Sequence, residues 1–179
     1  QYQAAIALTP KSEKAAHGGV GDPKLHFEAG TVANQCGMVD RAEEHYSMAQ
    51  AADPTEPRYP LYLAMVQIKL GKDAPAMASL VRTVKLNPDL AMAWGTMAEL
   101  ALKDNQLGLA MQHVEKARGL EPASARWRLT QAKVFKRRAG DGDVQSALTM
   151  LLAMDASDRL HPEVMKTIAE CYGMLQKPG

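Results

Sequence analysis

Three prolines set the frame. Pro54, Pro88 and Pro122 stand 34 residues apart, and a proline recurring at a fixed interval marks points where a helix stops and the chain restarts, because the ring cannot continue a helix and disfavours helical geometry in the residue before it. Tiles laid on this ruler begin at Pro23, Pro57, Ala91 and Ala125. The eighth residue of each tile is small (Gly30, Ala64, Ala98, Ala132). So is the twentieth: Ala42, Ala76, Ala110 and, after a three-residue insertion in the last tile, Ala147. Small residues at constant phase let two helices approach closely, and the bulkier Tyr46, Leu80, Val114 and Leu151 at the twenty-fourth position fill the space between neighbours. A chain of 179 residues with this period is expected to fold as a row of short units, since each tile buries its apolar face only against the next.

Within a tile the apolar residues keep helical spacing, and a breaker interrupts them near the middle. Gly37, Gly71, the Asp104–Asn105 pair and the Gly140-Asp141-Gly142 stretch are those breakers. Every tile therefore reads as a helix, a tight turn and a second helix, with Asp73 and Asp143 expected as N-caps of second helices. Pro60 falls early in the second tile and should delay its first helix. The clearest copy runs from Leu90 to Pro122, with Trp94, Met97, Ala98, Ala101, Ala110, Val114 and Ala117 at the recurring positions.

Composition narrows the function classes. Apolar residues make up 46% of the chain and aromatics only 5%, so the core must be built from Ala, Leu, Met and Val. Lys+Arg 21 against Asp+Glu 20 gives a net charge of +1, which is no footprint for nucleic acid and leaves no acidic tail. Eleven methionines at helical spacing read as core filler. Cys36 and Cys171 read as two small buried hydrophobes in helices at opposite ends. No run has the length of a membrane span and no signal peptide is visible. The chain starts at Gln1 without a methionine, so an export signal or anchor could precede it, and the compartment is not readable.

Candidate chemistry is sparse. His17-Gly18-Gly19-Val20-Gly21-Asp22 lacks the preceding strand that a phosphate loop needs and reads as a flexible linker. Asp141, Gly142 and Asp143 lack the spaced ligands of a calcium loop and read as a turn. The five histidines form no pair at metal-ligand spacing, and His26 reads as packed against neighbouring helices. No nucleophile elbow, catalytic cysteine pairing or metalloprotease motif occurs. No cofactor, no metal and no enzymatic activity are expected.

The 34-residue unit with Trp94, Met97, Ala98, Ala110, Ala117 and Pro122, matched in the first tile by Gly30, Gly37, Ala42, Tyr46, Ala49 and Pro54, resembles the tetratricopeptide repeat (TPR) family over roughly residues 23 to 176. The second tile departs at Pro60 and Thr83. The resemblance implies an all-α, right-handed superhelical solenoid of antiparallel helix-turn-helix repeats. Repeats are expected at 23–56, 57–90, 91–124 and 125–161, the last with its three-residue turn insertion, and a capping half-repeat at 162–179. Tyr2, Ala5, Ile6, Leu8 and Pro10 match the end of a preceding repeat at 1–10, followed by a flexible insertion at 11–22.

The resemblance also implies that first helices line a concave inner face where peptide ligands lie. These helices carry Lys24, Arg58, Lys69, Lys103, Arg126, Arg128, Lys133, Lys136, Arg137 and Arg138 against only Glu28 and Glu99. Helical spacing places Arg126, Lys133 and Arg137 on one face with Thr130 between them, Tyr62, Met65 and Lys69 on another, and Met92, Thr96, Glu99 and Lys103 on a third. Partner contacts are accordingly expected at Tyr62, Met65, Lys69, Thr96, Glu99, Lys103, Arg126, Lys133 and Arg137, a groove with an apolar middle and a basic end suited to an extended acidic segment. Members of the family that bind chaperone tails hold a terminal carboxylate with two lysines, two asparagines and an arginine; the corresponding positions here are Phe27, Thr31, Tyr62, Met92 and Thr96, so that specificity is not expected. The expected function is a non-catalytic scaffold or adaptor binding a protein or extended peptide. A regulatory or substrate-presenting array of a larger protein, and self-assembly into a homo-oligomer through exposed ends, are the alternatives. RNA-reading helical repeats keep a longer period and fit less well.

Overall fold

Local backbone chemistry decides where each first helix ends. In the computed structural model, which describes residues 21–140 and 142–176, ten helices make up the regular structure of the described residues. They are α1 (Pro23–Gln35), α2 (Val39–Ala52), α3 (Arg58–Lys69), α4 (Asp73–Leu86), α5 (Ala91–Lys103), α6 (Leu107–Leu120), α7 (Ala125–Arg138), α8 (Asp143–Leu152), α9 (Ala156–Arg159) and α10 (Pro162–Leu175). The helix remnant expected at residues 1–10, residues 11–20 of the insertion, and Asp141 lie outside the described residues.

The same turn closes α1, α3 and α5. Gly37, Gly71 and Asn105 take φ of 76°, 72° and 59°, and in each case the next residue donates its N–H five residues back: Met38 to Ala33, Lys72 to Gln67, and Gln106 to Ala101, at 2.8 to 2.9 Å. This pairing satisfies carbonyls that the helix end would otherwise leave open. Met38, Lys72 and Gln106 are also the N-caps of the following helices, so one residue ends a helix and begins the next. Asp73 and Asp143, expected as N-caps, instead occupy the first helical position after Lys72 and Gly142, and neither helix has a side-chain cap. The backbone turn supplies the geometry and moves the helix start one residue earlier than side-chain chemistry alone suggests. Helix α3 starts at Arg58, one residue into its tile, with Pro60 inside the first turn, where its missing N–H has no intrahelical partner to lose.

Two compact units divide between Asp89 and Leu90. In the first, α1 packs on α2, α2 on α3 and α3 on α4. Ala33, Ala42, Tyr46, Leu63 and Val66 form its central cluster, with Phe27, Val39 and Tyr62 packed against it. Thr83 suits a position usually held by a smaller residue because its hydroxyl donates to the Ser79 carbonyl at 3.0 Å, a buried bond that leaves the methyl to pack. Cys36, expected inside, is the exposed C-cap of α1, because the helix ends at Gln35.

In the second unit α5 packs on α6, α6 on α7, α7 on α8, and α8 on α10. Its tightest approach is not at Trp94, which is half-buried with its ring 5.7 Å from His113, but at Trp127, which is 2% exposed. The Trp127 ring rests on the backbone of α5 at Gly95, where an added Cβ would lie 2.2 Å from the nearest ring carbon. Its indole N–H donates to Glu121 at 2.8 Å, and the Arg126 guanidinium lies 4.7 Å over the ring. Helix α8 has 10 residues where α2, α4 and α6 have 14, and the chain then makes the short α9 before α10. Val164, Thr167 and Cys171 are the buried residues of α10, while Met165 and Tyr172 on it remain exposed.

Helix propensity and packing predict opposite signs for Gly95→Ala. Propensity favours alanine by about 1 kcal/mol, whereas a methyl driven into a buried indole costs about 1–3 kcal/mol or more. Packing dominates because backbone and ring are both held, so chemical denaturation should show a net loss of stability, with Gly108→Ala, where no atom lies near the added Cβ, as the stabilising control.

Candidate functional site

The first-helix faces of the two units differ in chemistry. In the first unit, α1 and α3 present an aromatic surface with one ammonium at its edge. The Phe27 ring stands edge-on to Tyr62 at 5.0 Å and lies 5.5 Å from Tyr46 and 5.3 Å from Tyr59, with the Arg58 guanidinium 5.7 Å from its centre. Beneath it, the Tyr46 hydroxyl donates to Thr31 Oγ1 at 3.2 Å, which donates to the Phe27 carbonyl at 2.9 Å; burial pushes the Tyr46 phenol above its ordinary range. Tyr62 is half-buried in this cluster, Met65 is exposed, and Lys69 is exposed with Nζ donating to Asn34 Oδ1 at 2.8 Å. The sequence pattern points to Tyr62, Met65 and Lys69. It does not point to Phe27, Tyr46 and Tyr59 as one cluster, because they come from three helices.

In the second unit the basic residues of α7 meet carboxylates carried by neighbouring helices. Arg126 donates to both oxygens of Glu99 on α5 at 2.9 and 2.7 Å, a two-pronged contact that holds the guanidinium above its ordinary range. Lys133 pairs with Glu163 at 2.8 Å, and Lys136 with Glu170, both on α10. These lysines, as hydrogen-bond donors, hold the two glutamates below the usual carboxylate range. Arg138 closes the lengthened turn on Asp143 at 2.6 and 2.5 Å and holds that carboxyl down in the same way. Thr96 is buried and its hydroxyl donates to the Met92 carbonyl at 2.8 Å; Thr130 is buried likewise on the Arg126 carbonyl at 3.0 Å. Lys103 and Arg137 are exposed. Sorting charge over the four full tiles alone leaves out Glu163 and Glu170, which arrive on the first helix of the capping half-repeat, α10, with a spacing of seven residues and therefore on one face.

Two hollows border α7 on this face. One of about 340 Å³ lies among Ala125, Arg126, Leu129, Asp158, His161 and Val164. The other, about 200 Å³, is lined by Lys133, Lys136, Arg137 and Lys166 together with Glu163 and Glu170, with Leu102 and Thr167 on its floor. A shallower groove of about 700 Å³ beside Trp94 and His113 is lined mainly by the second helix α6. Among the described residues no group of three or more His, Cys, Asp or Glu is placed to hold a metal ion, and none of the described helices is long and apolar enough to cross a membrane.

His26 packs as expected, and its neighbour is His45, with Nδ1 atoms 3.2 Å apart and rings stacked at 5.4 Å. Burial lowers the His45 pKa from 6.5, and His26 and Arg41 add to the effect against Glu44. A folded-state pKa below the unfolded value means that the unfolded chain takes up the proton first as pH falls. The stability that His45 contributes is therefore complete above about pH 6.5 and is lost below it. Denaturation between pH 7.5 and 5 should show this acid-side loss, and His45→Gln should flatten the profile relative to the parent; an unchanged slope would exclude the contribution.

No protein-family model matches the chain, and none of the curated proteins matches it in sequence. Solved structures do. A tetratricopeptide repeat protein from Parabacteroides merdae matches with a TM-score of 0.79 at 18% identity, over 97% of this chain and 64% of that one. YrrB, described as a TPR protein with an unusual peptide-binding site, matches with a TM-score of 0.72 at 15% identity, over 98% of this chain and 84% of its own. The first TPR domain of Spaghetti (RPAP3), solved with the HSP90 peptide SRMEEVD, matches with a TM-score of 0.64 at 24% identity, over 66% of this chain and 94% of that one. At these identities the likeness is one of fold, and the fold of this chain is that of the tetratricopeptide repeat proteins, an all-α helical repeat.

Proposed function

We propose that this chain is a non-catalytic protein-binding module, a scaffold or adaptor that takes an extended acidic segment of a partner on its first-helix faces. The observation that carries this reading is the polar hollow on α7 and α10, where four cations face two carboxylates. Glu163 and Glu170 pair with Lys133 and Lys136, so the surplus positive charge of the hollow is that of Arg137 and Lys166. A peptide bound by another protein of the fold, SRMEEVD on the Spaghetti domain, supports peptide binding as the role. The first unit carries a separate apolar surface of its own, Phe27, Tyr62 and Met65, with Lys69 at its edge.

Two residues of α7 test the role of charge on this face. Arg126 and Lys133 form partly exposed pairs with Glu99 and Glu163, and such pairs contribute only about 0–1 kcal/mol each. Arg126→Glu combined with Lys133→Glu should therefore keep the far-UV circular dichroism of the parent. Partners crosslinked to the intact protein in lysate should be lost from the double variant, or bind it at least tenfold more weakly once purified. Equal capture and equal affinity would remove this face from the mechanism.

A further inference from the structure

The two hollows on α7 differ in chemistry and are separated by a single ion pair. The first is walled by Ala125, Leu129 and Val164. Arg126 contributes its aliphatic stem there, since its guanidinium is committed to Glu99. Asp158 and His161 stand at the edge. Helix α8 ends at Leu152 and the chain continues through α9, whose Asp158 lines this hollow beside the first turns of α7 and α10. The second hollow is polar. Lys133 and Lys136 in it are neutralised by Glu163 and Glu170, while Arg137 and Lys166 make no ion pair among the described residues. The divide between the hollows is Lys133–Glu163: Glu163 lines the polar hollow, and the next residue, Val164, lines the apolar one.

The spacing of these hollows follows from helix geometry. Leu129, Lys133 and Arg137 occupy one face of α7 at four-residue intervals. At about 1.5 Å per residue, Leu129 and Arg137 are roughly 12 Å apart along the axis. An extended chain advances about 3.3 Å per residue, so a segment lying along α7 crosses from one hollow to the other in three to four residues.

We propose that the second unit reads a two-part signature: one large apolar side chain of the Leu, Met or Phe class seated among Ala125, Leu129 and Val164, and one Asp or Glu carboxylate held by Arg137 and Lys166, three or four positions apart. This rests on the acidic-segment reading above and adds to it the apolar anchor and the spacing. Charge complementarity fixes which residue goes where. The surplus cations sit only in the polar hollow, where a guanidinium and an ammonium can share one carboxylate, and Asp158 repels a carboxylate from the apolar one. Aspartate in the segment is thus directed toward Arg137, and a leucine has no comparable apolar wall beside Lys166.

Selection of a displayed library of random twelve-residue peptides on the intact protein tests the proposal. Enriched peptides should carry Leu, Met or Phe three or four positions from Asp or Glu. For one such peptide, synthesised with a fluorescein label and followed by anisotropy, replacing either residue by alanine should weaken binding about tenfold or more. Ala125→Phe, which fills the apolar hollow, should remove the effect of the apolar residue. Arg137→Glu with Lys166→Glu, both on exposed positions, should remove the effect of the acidic one with circular dichroism unchanged. Enriched peptides that lack this spacing but are lost on Arg126→Glu with Lys133→Glu would overturn the two-part signature and leave the binding face intact. Peptides insensitive to every variant, or no enrichment over support without protein, would overturn both.

Discussion

A helix pair that must reverse within three residues needs one residue in left-handed backbone geometry, and the rest of this molecule depends on that requirement being met at constant phase. Gly37, Gly71 and Asn105 meet it, two with no side-chain cost and one through a short polar side chain that tolerates the region. Because Met38, Lys72 and Gln106 both close one helix and open the next, the turn has no slack. The rotational phase of the first helix is passed on to the second, and the small residues at Ala42, Ala76 and Ala110 then face their partners, each with no exposed surface. The fourth pair has a longer turn, with Ala139 at φ 49° and Gly142 at φ 77°. There the Arg138–Asp143 contact spans the gap that a shorter turn would have closed by backbone bonds.

The electrostatics of the second unit follow from the stacking of first helices. A cation at one position on α7 meets whatever the next helix offers at the matching height, and here that is a carboxylate twice, at Glu163 and Glu170. The face is therefore ordered before any ligand arrives, and its net charge is smaller than a count along α7 suggests. The paired lysines have little charge left to be matched, which leaves it on Arg137 and on Lys166, whose charge also acts on both glutamates.

Much of this was readable in the residues, and for a physical reason. A period of 34 repeats the same packing problem several times, so the all-α helical-repeat fold and the buried phase of Ala64, Ala98, Ala132, Tyr46, Leu80, Val114 and Leu151 follow from comparing the chain with itself. What lacks repetition was harder to read. Trp127 shares its tile position with the buried Tyr59, but its seat depends on Gly95, whose only signal is the absence of a side chain. Asp73 and Asp143 look like caps because their chemistry fits, but a backbone turn one residue earlier does the work. The early stop of α8 at Leu152 has no proline or glycine directly after it to announce it. Ion pairs between α7 and α10 need the relative height of two helices, which spacing within either one does not contain.

The two cysteines acquire a practical meaning from their surroundings. Cys36 stands in solvent at the end of α1, whereas Cys171 is sealed against α10's neighbours, and burial raises its thiol above the ordinary range, so little thiolate forms there at neutral pH. A maleimide dye offered to the folded protein thus has one address, beside the turn between α1 and α2. Attachment at Cys171 reports unfolding of the last helix, which makes the ratio of labelling at the two thiols a direct clock for local opening.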